Sequence, residues 1–185
     1  MTRTMLFGGA RCGKSAHAEM LAGTAGKSVI YIATARSGDE EMAARIALHR
    51  QQRPPEWQTV EAPIALGAAI RAHGTADNLL LIDCLTVWLS NLLFVAEQAF
   101  PEVGAITPPA AFVAQHAAFL QALEEASGDI MLVSNEVGMG IVPMGAINRW
   151  FVDEAGRLNQ AAAARCERVI WVAAGLPLML KGIPC

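Results

Sequence analysis

The sequence predicts an α/β fold, with one mostly parallel sheet and helices on both of its faces. Three observations lead there. Short, continuously apolar runs recur along the 185 residues, as strands buried on both faces do. Longer segments with helical spacing of apolar residues separate those runs, as crossovers in a parallel sheet require. Finally, Gly8-Gly9-Ala10-Arg11-Cys12-Gly13-Lys14-Ser15 joins the first apolar run to the first helical one. That is the strand–loop–helix order a phosphate-binding loop needs.

The elements follow in order. Thr4–Phe7 is the first apolar run and reads as a buried strand. Lys14–Ala25 is rich in alanine, the best helix former. Val29–Ala33 is largely β-branched and aromatic, as strands are. Ser37 followed by Glu40 is a capping box, which starts a helix over Asp39–Gln52 that Pro54-Pro55 ends. Gln58–Glu61 reads as a strand, Ile64–Ala72 as a helix, Leu79–Asp83 as an aliphatic strand and Leu85–Ala96 as a helix. The three prolines and one glycine between Gln98 and Pro109 mark a surface loop. Pro109–Ser127 and Ala146–Cys166 read as helices, Ile130–Ser134 and Val169–Ala173 as strands, and Leu178–Lys181 as a short last strand. No repeat and no second domain interrupts residues 1–185, so a single domain is expected.

Composition narrows the function. Fourteen Lys and Arg against seventeen Asp and Glu give a formal charge of −3, which argues against a general nucleic-acid binder. The most apolar stretch, Leu79 to Ala96, is broken by Asp83, Thr86, Ser90 and Asn91 and makes a poor membrane span. Cys12, Cys84, Cys166 and Cys185 show no paired spacing. Neither a zinc site nor a disulfide framework is expected, and a reducing cytoplasm fits.

The Gly8–Ser15 pattern is that of P-loop nucleoside triphosphatases. Its glycines let successive N–H groups turn toward phosphate, and the helix behind adds its positive end. Lys14 would reach the β- and γ-phosphates, and the Ser15 hydroxyl would ligate Mg²⁺. Asp83, closing an aliphatic strand, matches the second acidic motif that helps hold Mg²⁺; the other reading is a cap for the helix that follows. Glu41, Arg45 and His49 are spaced by four and share one helix face. Nearby arginines would keep the imidazole neutral and nucleophilic, able to attack phosphorus. On spacing alone, a solvated charged face with an incidental histidine accounts for the pattern better than a nucleophile does. Rival functions at this point are a P-loop kinase for another small metabolite and a nucleotide-dependent switch.

Several motifs taken together narrow the field. Besides the phosphate loop they are Tyr31-Ile32-Ala33-Thr34, Asp39-Glu40-Glu41-Met42-Ala43-Ala44-Arg45-Ile46 with His49, Arg53-Pro54, Trp57-Gln58-Thr59-Val60-Glu61 and Asp83-Cys84-Leu85-Thr86. Further on come Asn91-Leu92-Leu93, Ser134-Asn135-Glu136-Val137-Gly138-Met139-Gly140-Ile141-Val142-Pro143 and Gly156-Arg157-Leu158-Asn159-Gln160. In this order the chain resembles the bifunctional adenosylcobinamide kinase/adenosylcobinamide-phosphate guanylyltransferase family of cobalamin biosynthesis, over nearly its whole length.

The resemblance implies two reactions. ATP or GTP phosphorylates adenosylcobinamide; GTP then donates GMP to the phosphate, through a covalent histidine that the match places at His49. It implies nucleotide contacts from Gly8, Gly9, Ala10, Arg11, Cys12, Gly13, Lys14 and Ser15, and from Thr34, Ala35 and Arg36. Further contacts are implied at Gln51, Gln52, Arg53, Glu61 and Asp83, with His49 and Lys14 catalytic and Mg²⁺ on Ser15 and Asp83. A carboxylate at Glu61 suits guanine, accepting from N1–H and N2–H₂. A corrinoid substrate, a cytoplasmic location and a homotrimer complete the expectation. Glu136 has two open readings, as a ligand for substrate or Mg²⁺ and as a cap for the glycine-containing loop after it.

Overall fold

The computed structural model of the chain describes residues 1–36, 53–95 and 98–183. Among the described residues seven strands form one sheet: β1 (Arg3–Gly8), β2 (Ser28–Ala33), β3 (Gln58–Glu61), β4 (Asn78–Asp83), β5 (Asp129–Asn135), β6 (Arg168–Ala173) and β7 (Leu176–Lys181). Their spatial order is β3-β2-β4-β5-β1-β6-β7. The pairings among β1 to β6 are parallel, and β7 returns antiparallel along β6. The described helices are α1 (Lys14–Thr24), α2 (Leu66–His73), α3 (Leu85–Leu93), α4 (Ala110–Glu125) and α5 (Ala146–Arg165). The helix expected over Asp39–Gln52, with His49, Gln51 and Gln52, lies outside the described residues.

Alternation along each strand sorts the core into two layers. Met5, Ile32, Leu80, Ile82, Ile130 and Leu132 face one side, where Leu66 of α2, Trp88 of α3, Phe119 of α4 and Leu158 of α5 cover them. Leu6, Tyr31, Leu79, Leu81, Val133 and Ile170 face the other, against Ala18 and Ala22 of α1. Helices therefore lie on both faces. The buried Trp88 donates its indole N–H to the Ile64 carbonyl at 2.8 Å and packs 5.1 Å from the Phe119 ring. Asn91 donates to the carbonyls of Thr34 (2.7 Å) and Pro63 (3.0 Å), tying the segments after β2 and β3 to α3. His116 packs over Phe112, and burial lowers its pKa.

The last strand starts two residues earlier than its sequence suggests. Ala174 (φ 50) and Gly175 (φ 79) form a two-residue turn with positive φ at both positions, the hairpin geometry that matches strand twist. Pro177 hid the strand start. It is tolerated because β7 is the sheet's edge, where one side of the strand needs no ladder bonds.

Candidate active site

The phosphate loop leaves β1 at Gly8 and enters α1 at Lys14. Arg11 (φ 56) and Gly13 (φ 97) make the left-handed turns that curl it. No side chain caps α1 at Gly13, and the first turn of a helix carries N–H groups without intrahelical partners. Lys14 is buried and its Nζ donates to the Gly9 carbonyl across the loop at 3.1 Å. The outer wall comes from the β6–β7 turn, where the Gly175 N–H donates to the Cys12 carbonyl at 2.8 Å.

Register brings the acidic residues to the same end of the sheet. Ala33 pairs with Glu61 on one side and with Asp83 on the other, so the two carboxylates stand in one row, about 10 Å apart at the backbone. Asn135 pairs with Gly8, and Val133 with Asp83, so β5 lies between the phosphate loop and Asp83. By alternation Asp83 shares the α1 face with Leu79 and Leu81. The helix-cap role considered for Asp83 belongs to Cys84, whose Sγ accepts from the Val87 N–H at 3.4 Å. Burial first, and the charge of Asp83 second, push the Cys84 thiol up to about 11, while the nearby charge of Lys14 opposes them.

The segment after β2 divides by exposure. Arg36 is exposed and Ala35 half-buried, but Thr34 is fully buried. The Thr34 hydroxyl accepts from the Cys84 N–H and donates to the Cys84 carbonyl, both at 2.8 Å. Its N–H donates to the Asp83 carbonyl and its own carbonyl accepts from Asn91. Thr34 thus holds the Asp83–Cys84 corner, and its polar groups are engaged by protein. Glu61 is exposed at the end of β3, and Arg11 is exposed on the loop.

A buried polar chain supports β5. Ser134 donates to Asn159 Oδ1 at 2.6 Å, and Asn159 Nδ2 donates to the Asn135 carbonyl at 3.1 Å. The Asn135 N–H donates to the Thr86 hydroxyl at 2.7 Å. Thr86 and Ser134 lie 3.3 Å apart; since the Ser134 proton is committed to Asn159, Thr86 donates. Glu136 follows: its N–H donates to the Gly8 carbonyl (3.0 Å) and its carboxylate accepts from the Gly138 N–H (2.5 Å). That is the loop-capping geometry. Beyond it, Met139, Ile141, Val142 and Met144 are exposed.

A second cluster lies on the α1 face. The Arg53 guanidinium carbon sits 3.3 Å from the centroid of the Tyr31 ring, and its Nε is 3.5 Å from a carboxylate oxygen of Glu19. The Tyr31 hydroxyl shares a hydrogen bond with Asp83. Tyr31, Glu19, Thr86 and Asn159 were missed as site residues. The available signals were a lone hydroxyl in an aliphatic strand, a glutamate one turn past Ser15, and polar residues inside apolar elements. A cavity of about 210 Å³, lined by Thr2, Thr4, Leu79, Asp129 and Arg168, opens instead at the amino-terminal ends of the strands, away from this cluster.

A family model described as cobinamide kinase/cobinamide phosphate guanyltransferase matches residues 4–180. The chain belongs to this family. It is 50% identical over 182 residues to the bifunctional adenosylcobalamin biosynthesis protein CobP of Pseudomonas aeruginosa, covering 98% of this chain and 99% of the relative. It is 40% identical over 179 residues to the bifunctional adenosylcobalamin biosynthesis protein CobU of Escherichia coli, covering 96% and 98%. Among solved structures, an ATPase from the type III secretion system of pathogenic bacteria matches with a TM-score of 0.54 at 16% identity. That match covers 96% of this chain and 56% of the ATPase, so the chain spans about half its length; the likeness is one of fold. As a cobinamide kinase/guanyltransferase the chain is a nucleotide-using enzyme with two activities, and the P-loop fold is shared with ATPases.

Proposed function

We propose that both reactions run at the carboxyl ends of β1, β4 and β5, within a single domain formed by residues 1–185. ATP or GTP binds on Gly8–Ser15, and the aminopropanol hydroxyl of adenosylcobinamide attacks the γ-phosphorus. In the second reaction the neutral imidazole of His49 attacks the α-phosphorus of GTP, and pyrophosphate leaves. A phosphate oxygen of adenosylcobinamide phosphate then attacks the phosphoramidate, restoring His49 and giving adenosylcobinamide-GDP. The observation that carries this reading is the register that leaves only β5 between the phosphate loop and Asp83, the near end of the row that Asp83 and Glu61 form.

The residues divide the work. Lys14 and the loop amides balance charge on the β- and γ-phosphates. Ala35, Arg36, Gln51, Gln52 and Arg53 contact nucleotide, with Thr34 supporting them from beneath. Glu61 selects guanine. Among the described residues no group of three metal-ligating side chains stands together. That fits Mg²⁺, which takes one or two protein ligands and fills its shell with phosphate oxygens and water; Ser15 and Asp83 would hold it. When bound, Mg²⁺ supplies neutralisation of phosphate charge. The exposed apolar run Met139–Met144 offers contact to the corrinoid, and the exposed Leu176, Leu178 and Leu180 on edge strand β7 suit subunit contacts in a trimer. No described helix is long and apolar enough to cross a membrane.

The test is protein labelling with GTP carrying label at the α-phosphate. An acid-labile, alkali-stable label that chases into product on adding adenosylcobinamide phosphate is expected. Label persisting in His49→Ala overturns the assignment of the nucleophile. Lys14→Ala should abolish kinase turnover.

A further inference from the structure

Asn135 ends β5, and neither reaction as proposed gives it a task. Its main chain is held from both sides. The N–H donates to the Thr86 hydroxyl of α3 at 2.7 Å, and the carbonyl accepts from Asn159 Nδ2 of α5 at 3.1 Å. The carboxamide is left nearly unspent. Nδ2 makes one long bond, to Cys84 Sγ at 4.0 Å, and among the described residues Oδ1 has no hydrogen-bond partner. Such a group offers two N–H donors and an acceptor oxygen with two lone pairs. Two helices thus fix the backbone of a half-buried residue whose own polar group has capacity to spare.

The place of that group is specific. Along β5, Val133 packs on the α1 face, and Ser134 turns to Asn159 on the opposite one. Asn135 therefore returns to the α1 face, the side that Asp83 shares. It stands opposite Gly8 in the register, about 4.8 Å away across the strand pair, and two residues beyond Val133, the partner of Asp83. The Lys14 ammonium bonds to Gly9, the next residue of the loop. Its charge also reaches Cys84, lowering the thiol's pKa against burial. The cation for the β- and γ-phosphates, the Asp83 carboxylate and an uncommitted amide therefore border the same end of the loop.

We propose that Asn135 is a further catalytic residue of the phosphorylation step: its Nδ2–H donates to a γ-phosphoryl oxygen of the nucleotide on the loop. This rests on Gly8–Ser15 holding the triphosphate. Negative charge spreads over the γ-phosphoryl oxygens during transfer, and a fixed neutral donor aimed at them stabilises it. The bond from the γ-phosphorus to the β-phosphate oxygen breaks as the bond to the aminopropanol oxygen forms. ADP leaves with the electron pair, the hydroxyl proton goes to solvent, and Asn135 neither gives nor takes a proton. In guanylyl transfer the reacting phosphorus is the α, two phosphates away, so the same donor matters less.

Wild type, Asn135→Ala, Asn135→Asp and Lys14→Ala are compared in three measurements. These are phosphorylation of adenosylcobinamide by saturating ATP, labelling by saturating α-labelled GTP, and affinity for β,γ-imido-ATP relative to ADP. Asn135→Ala lowers the phosphorylation kcat about 100-fold, the scale of one lost transition-state donor, and labelling by less than about tenfold. Asn135→Asp keeps the size and the main-chain bonds but turns a carboxylate toward the phosphate. It lowers the preference for the triphosphate about tenfold, which a mere packing role would leave unchanged. Equal slowing of the two reactions by Asn135→Ala, or an unchanged preference in Asn135→Asp, overturns the proposal. If Asn135→Ala does not fold, Asn135→Asp must lose phosphorylation selectively and the triphosphate preference together; any other pattern overturns it. If the wild type takes no label, the His49 reading fails and the triphosphate preference decides here. Lys14→Ala binding β,γ-imido-ATP as tightly as the wild type overturns the phosphate-loop reading and this proposal with it. Weakened binding in Lys14→Ala without the losses at Asn135 overturns the Asn135 proposal alone.

Discussion

Thr34 and Cys84 are joined twice: one hydroxyl accepts from the Cys84 N–H and donates to its carbonyl, each at 2.8 Å. The Cys84 carbonyl has a second donor in the Trp88 N–H, so the N–H is the group that depends on Thr34. Replacing the hydroxyl by a methyl in Thr34→Val should leave that N–H buried and unpaired, at about 1–3 kcal/mol. Urea unfolding measures the loss. Because the same corner carries Asp83, the half-saturating Mg²⁺ concentration for phosphorylation should rise too, and Thr34→Ser should restore both.

Ser134 and Asn159 form the centre of a chain in which each donor has one acceptor. Truncating Asn159 to Ala strands the Ser134 hydroxyl and the Asn135 carbonyl, for about 2–4 kcal/mol. Ser134→Ala in that background should cost less than it does alone, since its partner is already missing. Additive losses in a denaturant-based double-mutant cycle would show that the chain does not act as a unit.

Thiol reactivity should rank the cysteines by position. Burial pushes the Cys84 thiol to about 11 and the Cys166 thiol to about 12, so both hold little thiolate near neutral pH. Cys12 is half-buried in the phosphate loop. Iodoacetamide at pH 7.5 should mark Cys12 well before Cys84 or Cys166, and Mg²⁺ with GTP should protect it. Peptide mapping by mass spectrometry reads the order; equal rates would contradict the burial.

Asp129 links pH to stability at the opposite end of the sheet. It accepts from the Thr2 N–H at 2.7 Å, and Lys27 lies 3.0 Å away. Burial alone would raise its pKa, but Lys27, the Thr2 N–H and the amino terminus outweigh burial and hold it below 3.8. A depressed folded-state pKa gives stability that is complete above the unfolded value and lost as pH falls through the folded one. Asp129→Asn should therefore cost about 1 kcal/mol at pH 7 and less at pH 3. Thermal unfolding at the two pH values checks the difference.

Much of the fold was legible because parallel strands announce themselves. Leu79–Asp83 and Ile130–Ser134 are unbroken apolar runs, and their boundaries fall within a residue or two of β4 and β5. The edge strand β7 was harder, since Pro177 masks its start. Gly8 shows a different limit. Its place in the loop pattern suggests a role in wrapping phosphate, yet it is still part of β1. A Cβ there would lie 2.2 Å from the Val172 carbonyl oxygen of β6. Spacing along one chain cannot reveal that contact, because it depends on which strand becomes the neighbour. For the same reason Asp83 was visible as a strand-end acid, while the Tyr31 and Arg53 beside it were not paired with it. They come from separate elements, and only the sheet order brings them together.

The donor from Gly175 to the Cys12 carbonyl gives the nucleotide cradle a late-arriving wall. The first two dozen residues encode the familiar signature, but its final shape is completed by the hairpin near the far end of the chain. A ribosome-bound fragment ending at residue 173 would own every residue of the signature and still lack this brace. Triphosphate affinity is then a reporter of whether the carboxyl-terminal ribbon has docked.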